Sequence, residues 1–258
     1  MNRENSSINS TTDQTAKKSE NAPVQRWFWL RPFLPRKLQP YLRGLRKRLE
    51  QQKLNLEEPF RSVYPFTQVS QVRLKSLMQL ATRIEEEGIP GDIVECGVLD
   101  GGSAALMGDA TRKSAHRKLH LFDAWKGLPP SGSEDGEASK KWTGQVVGSS
   151  HRVSTIMAEM GIPSERLAFH KGWFSDTFPK AEIEQIALLH IDADFYDPVK
   201  FCLETWGPKV SKGGYIQLDD YSEFQGCRSA VDEFLEKYPQ MTLNTYGNPT
   251  KAYYIHVG

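Results

Sequence analysis

The sequence lacks what a membrane span, a disulfide framework or a nucleic-acid surface would need. No apolar stretch approaches the roughly 18–20 residues of a transmembrane helix. The three cysteines, Cys96, Cys202 and Cys227, lie far apart. They make neither a zinc spacing nor an even disulfide set, and read as reduced thiols of a cytoplasmic protein. A formal net charge of only +1 gives no overall case for nucleic acid. An apolar segment near the N-terminus is missing too, so the opening residues do not read as a secretory signal.

What is present suits a globular protein. The chain has 258 residues, 25% charged and 38% hydrophobic, enough for one α/β domain of above-average size or a domain with an appendage. Residues 1–25, rich in Ser, Thr, Asn, Gln and Lys, read as a disordered tail. Residues 26–63 are basic: Arg31, Arg36, Lys37, Arg43, Arg46, Lys47 and Arg48 lie between Arg26 and Lys53, with Glu50 the lone acid. Here one or two amphipathic helices are expected, broken near Pro35 and Pro40, with Trp27, Phe28, Trp29, Leu30, Phe33 and Leu34 as apolar surface. A peripheral membrane contact and a helix packed on the protein or on a second subunit both fit.

From residue 64 to 258 the texture is that of a folded domain. "SQVRLKSLMQLATRIEEEG" has helical periodicity and Gly88 as a stop. Strands at "DIVECGV", "KLHLFDAW", "RLAFHKG", "IALLHIDAD" and "GGYIQLDDY" then alternate with helices, one of them expected near "KAEIEQ". The last two strands, "MTLNTYG" and "AYYIHVG", have no helix between them. The pattern predicts an α/β fold: a Rossmann-like doubly wound sheet, mostly parallel, with an antiparallel C-terminal edge hairpin. Such sheets bind ligands beyond the carboxyl ends of their strands. That rule gathers Glu95, Asp123, Asp192, Asp194, Asp219 and Asp220 on one rim.

The turn after the first strand, "ECGVLDGGSA", is not the dinucleotide G-x-G-x-x-G. It carries two acids, Glu95 and Asp100, which suit a cationic cofactor with little phosphate, such as S-adenosylmethionine. Gly97 and Gly101 would admit its methionine part, and Ser103 would cap the next helix. Asp123 is placed to accept ribose hydroxyls, and Trp125 or Trp173 to cover the adenine.

Three carboxylates converge if the fourth and fifth strands are neighbours: Asp192, Asp219 and Asp220. Unpaired, they would repel one another. A hard cation such as Mg²⁺ or Ca²⁺ relieves that. Asp194 follows Asp192 by two, which on a strand puts both on one side, and it is the candidate base. His190, inside the apolar run, reads as structural. Asp197 before Pro198 reads as a helix cap. The long segment "GLPPSGSEDGEASKKWTGQVVGSS" reads as a lid or a surface insertion, with Trp142 a candidate acceptor contact.

Taken in order, "DIVECGVLDGGSA", "LHLFDAWKGLP", "KGWFSDTFP", "LLHIDADFYDP" and "GGYIQLDDY" make the chain from about Tyr64 onward resemble the macrocin O-methyltransferase (TylF) family. The resemblance implies a class I methyltransferase fold and a Mg²⁺- and S-adenosylmethionine-dependent enzyme that methylates a hydroxyl of a small molecule, typically a sugar or other natural-product diol. It implies metal ligands at Asp192, Asp219 and Asp220 and a base at Asp194. It puts the cofactor against Glu95, Gly97, Gly101, Ser103 and Asp123, and near Phe66, Thr67, Gly172 and Trp173. It implies that residues 26–63 form a lid and help build a homo-oligomer. Two other readings stay open on the residues alone: a nicotinamide-dependent oxidoreductase, and a non-catalytic peripheral membrane protein.

Overall fold

A computed structural model describes residues 35–114 and 116–258. The expected tail, residues 1–25, and the apolar residues from Trp27 to Leu34 lie outside the described residues.

Apolar runs set the sheet. Strands β1 (Asp92–Cys96), β2 (Leu119–Asp123), β3 (Leu167–Lys171), β4 (Ile186–Ile191) and β5 (Val210–Leu218) are parallel. Two more, β6 (Thr242–Tyr246) and β7 (Ala252–His256), close the chain as an antiparallel pair. The order is β3-β2-β1-β4-β5-β7-β6, so β7 inserts antiparallel against β5 and leaves β6 at the edge. Every residue of β4 is buried, as in a central strand covered on both faces. The mostly parallel sheet and its antiparallel edge hairpin are those the sequence alternation predicts. The strand order reverses between β1 and β4, which opens a crevice at their carboxyl ends.

Six longer helices are found among the described residues: α1 (Gln39–Gln51), α2 (Gln71–Glu86), α3 (Gly102–Ala110), α4 (Ser150–Glu159), α5 (Tyr196–Trp206) and α6 (Gln225–Lys237). Side chains alternate across each strand, and the two faces fill two cores. Ile93 and Leu188 pack with Leu77, Leu80, Leu106 and Ile156 on one side. Val94 and Leu189 pack with Val199, Leu203, Val231 and Phe234 on the other. Each such buried side chain stabilises by about 1.5–3 kcal/mol.

Several local expectations need correction. Pro40 does not break a helix; it sits in the first turn of α1, where its missing N–H costs nothing. The cap of α3 is Gly101, in a left-handed conformation, so Ser103 lies inside the helix and is buried. Helix α5 begins at Tyr196, so Asp197 lies in its first turn rather than at its cap, where its charge still suits the helix dipole. The helix expected near "KAEIEQ" lies upstream, as short turns over Phe174–Thr177 and Phe178–Lys180.

Candidate active site

The carboxyl ends of β1, β2, β4 and β5 frame a cleft of about 300 Å³. Its floor depends on one glycine. Gly97 follows β1 with φ +95°, and a Cβ there would run into the carbonyl oxygen of Asp192. The backbones after β1 and β4 can therefore approach only because residue 97 has no side chain.

Beyond β4 the chain turns sharply. Asp192 still donates its amide to Cys96 O at 2.9 Å, but Asp194 has left the strand and holds φ +58°. Its position does not come from strand alternation. An aspartate tolerates this left-handed geometry better than most residues, and Asp220 stabilises it by accepting the Asp194 amide at 3.1 Å. Carboxylate oxygens of Asp192, Asp194 and Asp220 thereby lie within 4.8 Å of one another. Asp219 lies beside them but turns one oxygen, Oδ2, to the Arg73 guanidinium at 3.2 Å. Its other oxygen is buried without a partner.

The electrostatics are strained. Two unit charges about 4–5 Å apart repel by roughly 3–4 kcal/mol at an effective dielectric of about 20. Burial, reinforced by neighbouring carboxylates, pushes Asp192 and Asp220 well above the usual carboxylate range. Burial and then the Asp219 charge push Asp194 up to about 7. Asp219 is raised by burial too, against the opposing pull of Arg73.

Asp123 ends β2 at the far side of the cleft. It accepts the Leu99 amide at 2.8 Å and the Trp125 amide at 2.6 Å. Each carboxylate oxygen has a second lone pair, so two acceptor positions remain. Burial raises this group to about 6. Trp173, Gly172 and Trp142 line the cleft, whereas Trp125 does not; the Trp125 indole donates instead to Leu99 O at 2.8 Å.

Of the residues singled out from sequence, Gly97, Asp123, Gly172, Trp173, Asp192, Asp194, Asp219 and Asp220 line this one cleft. Phe66, Thr67, Glu95, Gly101 and Ser103 are buried and do not line it. Glu95 is shut away from solvent and faces His190 Nδ1 at 2.9 Å, in keeping with a structural His190. Asp100 does not offer its charge to the cleft either, because Arg43 and Arg152 take it.

Sequence reasoning missed Arg73 and Asp135. Arg73 sits in the first turn of α2, where the helix dipole disfavours a cation; that oddity was the available signal for a buried acid partner. Asp135, in the long segment after β2, accepts the Tyr196 amide at 2.8 Å and the Gly132 amide at 2.7 Å. The segment is thereby tied to the start of α5, and it supplies Gly127, Leu128, Pro129, Trp142 and Val146 to the cleft wall.

The comparisons with known proteins agree with this geometry. The macrocin-O-methyltransferase (TylF) family matches residues 18–242. Demethyldecarbamoylnovobiocin O-methyltransferase of Streptomyces niveus is 34% identical over 187 residues, 67% of this chain and 68% of that protein. The 8-demethyl-8-(2,3-dimethoxy-alpha-L-rhamnosyl)-tetracenomycin-C 4'-O-methyltransferase of Streptomyces olivaceus is 29% identical over 179 residues, 67% of this chain and 68% of that protein. The solved structure of the O-methyltransferase NovP superposes with a TM-score of 0.67 at 29% identity, covering 75% of this chain and 83% of that one. These findings set aside the oxidoreductase and non-catalytic readings. The chain belongs to the macrocin-O-methyltransferase (TylF) family and is an S-adenosylmethionine-dependent O-methyltransferase of the class I fold.

Proposed function

We propose that this enzyme methylates one hydroxyl of a vicinal diol on a sugar or other natural-product scaffold, with Mg²⁺ at the acid cluster. The observation that carries the proposal is three converging carboxylates, none of them in an ion pair with a side chain among the described residues, in the same cleft as Asp123 and Gly97. A relative whose name specifies a rhamnosyl substrate supports the sugar.

The acid cluster fits a hard divalent ion. Its donors are all oxygens, Arg73 offsets their mutual repulsion only in part, and Asp219 Oδ1 is buried and unpartnered. Asp192 and Asp220, with that free oxygen of Asp219, would hold the ion. Bound there, Mg²⁺ supplies positive charge that makes a nearby hydroxyl more acidic. S-adenosylmethionine supplies the electrophilic methyl group on its sulfonium.

The chain's own residues do the remaining work. Asp123 uses its two open acceptor positions for the ribose hydroxyls. Gly97 lines the cleft where the methionine part would lie, and Trp173 would cover the adenine. Phe66, Thr67, Glu95, Gly101 and Ser103 act by holding these groups in place. Asp194 takes the proton that the acceptor hydroxyl loses. Leu128, Pro129, Trp142 and Phe224 give the acceptor an apolar wall, and holding it in line contributes orientation. Helix α1 flanks the cleft as part of its cover: Arg43 bonds to Asp100 and Val147 O, the neighbours of cleft residues Leu99 and Val146. The three buried free thiols suit a reducing cytoplasm.

The test is a screen of hydroxylated metabolites with S-adenosylhomocysteine release as readout. Turnover of a vicinal diol should vanish in EDTA and return with Mg²⁺. Full turnover in EDTA would overturn the role of the ion, and turnover of simple monohydric alcohols at equal rate would overturn the diol.

A further inference from the structure

Helix α1 is turned inside out. Three of its polar residues face the protein: Arg43 bonds to Asp100 at 2.7 Å, Lys47 to Thr67 O, and Gln51 to Arg61 O at 2.5 Å. Pro40 and Gly44 are its buried positions, and a Cβ on Gly44 would overlap the Arg152 guanidinium. Its large apolar residues other than Leu42 face outward. Leu38, Tyr41, Leu45 and Leu49 recur at helical spacing and are 48%, 45%, 58% and 58% exposed. With Leu54, this short stretch holds five of the seven exposed large hydrophobic residues among the described residues. A globular protein seldom leaves such a stripe open.

Charge indicates what covers it. Arg36, Lys37, Arg46, Arg48 and Lys53 are exposed around the stripe, and Glu50 is the only acid in that stretch. Stripe packed on stripe in a second copy would bring these cations face to face, and like charges across an interface oppose association. An anionic lipid surface meets both the leucines and the cations.

We propose that the outward face of α1 docks this enzyme on anionic phospholipid bilayers. The proposal goes beyond methyl transfer and does not depend on the acceptor. None of Leu45, Leu49, Arg46 or Arg48 lines the cleft.

The test is co-sedimentation of the full chain with vesicles of phosphatidylcholine, with and without phosphatidylglycerol. Binding should require phosphatidylglycerol and weaken steeply with salt. Leu45→Asp with Leu49→Asp should weaken it at least about tenfold. Arg46→Glu with Arg48→Glu should do likewise and gives an independent arm should the first pair fold poorly. Both variants should bind S-adenosylmethionine as the parent does. Three outcomes would overturn the proposal. One is no binding to the anionic vesicles. Another is a dimer in sedimentation equilibrium that Leu45→Asp with Leu49→Asp dissociates, which would make a second copy the occupant. The third is binding that survives both α1 variants but is lost with Trp27→Ala and Trp29→Ala, which would move the docking face to the preceding segment.

Discussion

Asp100 and Asp220 are both buried aspartates, 0% and 6% exposed, and they keep opposite electrical company. Asp100 receives the Arg43 guanidinium at 2.7 Å and has Arg152 Nε 3.2 Å away. Asp220 has Asp192 and Asp194 within 4.8 Å and accepts one backbone amide. The first cluster has a surplus of positive charge, as befits a strut tying α1 to the turn after β1. The second has a surplus of negative charge, which folding alone would not select. The same residue type, equally withdrawn from water, is structural where a cation is built in and available for chemistry where one is left out.

The largest test of this contrast is Asp194→Asn. Loss of a general base should lower kcat by about 10²–10⁴, with S-adenosylmethionine affinity by calorimetry nearly unchanged. Removing one charge from a repelling cluster should also raise the urea midpoint of the cofactor-free protein. Mg²⁺ affinity separates two roles: a base leaves it intact, whereas loss of both turnover and Mg²⁺ binding would make Asp194 a ligand. A variant that keeps wild-type turnover would break the comparison outright.

The opposite sign is expected at the other cluster. Arg43→Ala leaves Asp100 buried with one guanidinium and frees the inner face of α1. Breaking a buried ion pair is costly, and with Arg152 still present a loss of about 2–3 kcal/mol is expected in urea unfolding. If Arg43→Ala stabilised the protein, Asp100 would not be a strut.

A smaller effect is expected at Asp123, which combines the two situations: backbone amides satisfy it, yet it keeps acceptor capacity toward the cleft. Asp123→Ala should weaken S-adenosylmethionine binding by about tenfold, the worth of a hydrogen bond to a charged acceptor. Calorimetry showing unchanged affinity would remove the ribose contact from the scheme.

The sheet was legible because its strands are apolar runs bounded by glycines and acids, and alternation with helices fixes the winding. The rim was legible for the same reason: five acids follow strand ends, and the topology brings strand ends together. What could not be read was orientation and pairing across long separations. The leucines of residues 38–49 show helical spacing, but spacing does not say which face meets the protein. That depends on Asp100, 57 residues from Arg43. Arg73 and Asp219 are 146 residues apart, and Asp135 meets the start of α5 across 61. Ser103 and Asp197 were misplaced by a smaller matter: the left-handed Gly101 and the earlier start of α5 shift the helix boundaries by one or two residues.

A third arrangement lies between the two clusters and gives the smallest effect. On β1, β2 and β3, Asp92 Oδ2 faces His120 Nε2 at 3.1 Å, and His120 Nδ1 faces His170 Nε2 at 3.1 Å. One carboxylate thus serves two imidazoles, and only His120 touches it. Burial, with the neighbouring His120, holds His170 down at about 4, while Phe122 stacks on its ring at 4.1 Å. An unfolded histidine titrates near about 6.5. Above that pH both states carry a neutral imidazole and the full contribution to stability is present. As pH falls from about 6.5 toward 4, the unfolded chain gains a proton that the native ring refuses, so stability declines. His170→Gln can keep a hydrogen bond to His120 but takes no proton. Urea midpoints at pH 7, 6 and 5 should therefore fall less steeply in the variant than in the parent. Equal slopes would assign the acid-side loss to another group and would leave the Asp92 chain without a proton-linked role; the rim carboxylates, raised by folding, gain stability toward acid and would not produce such a loss.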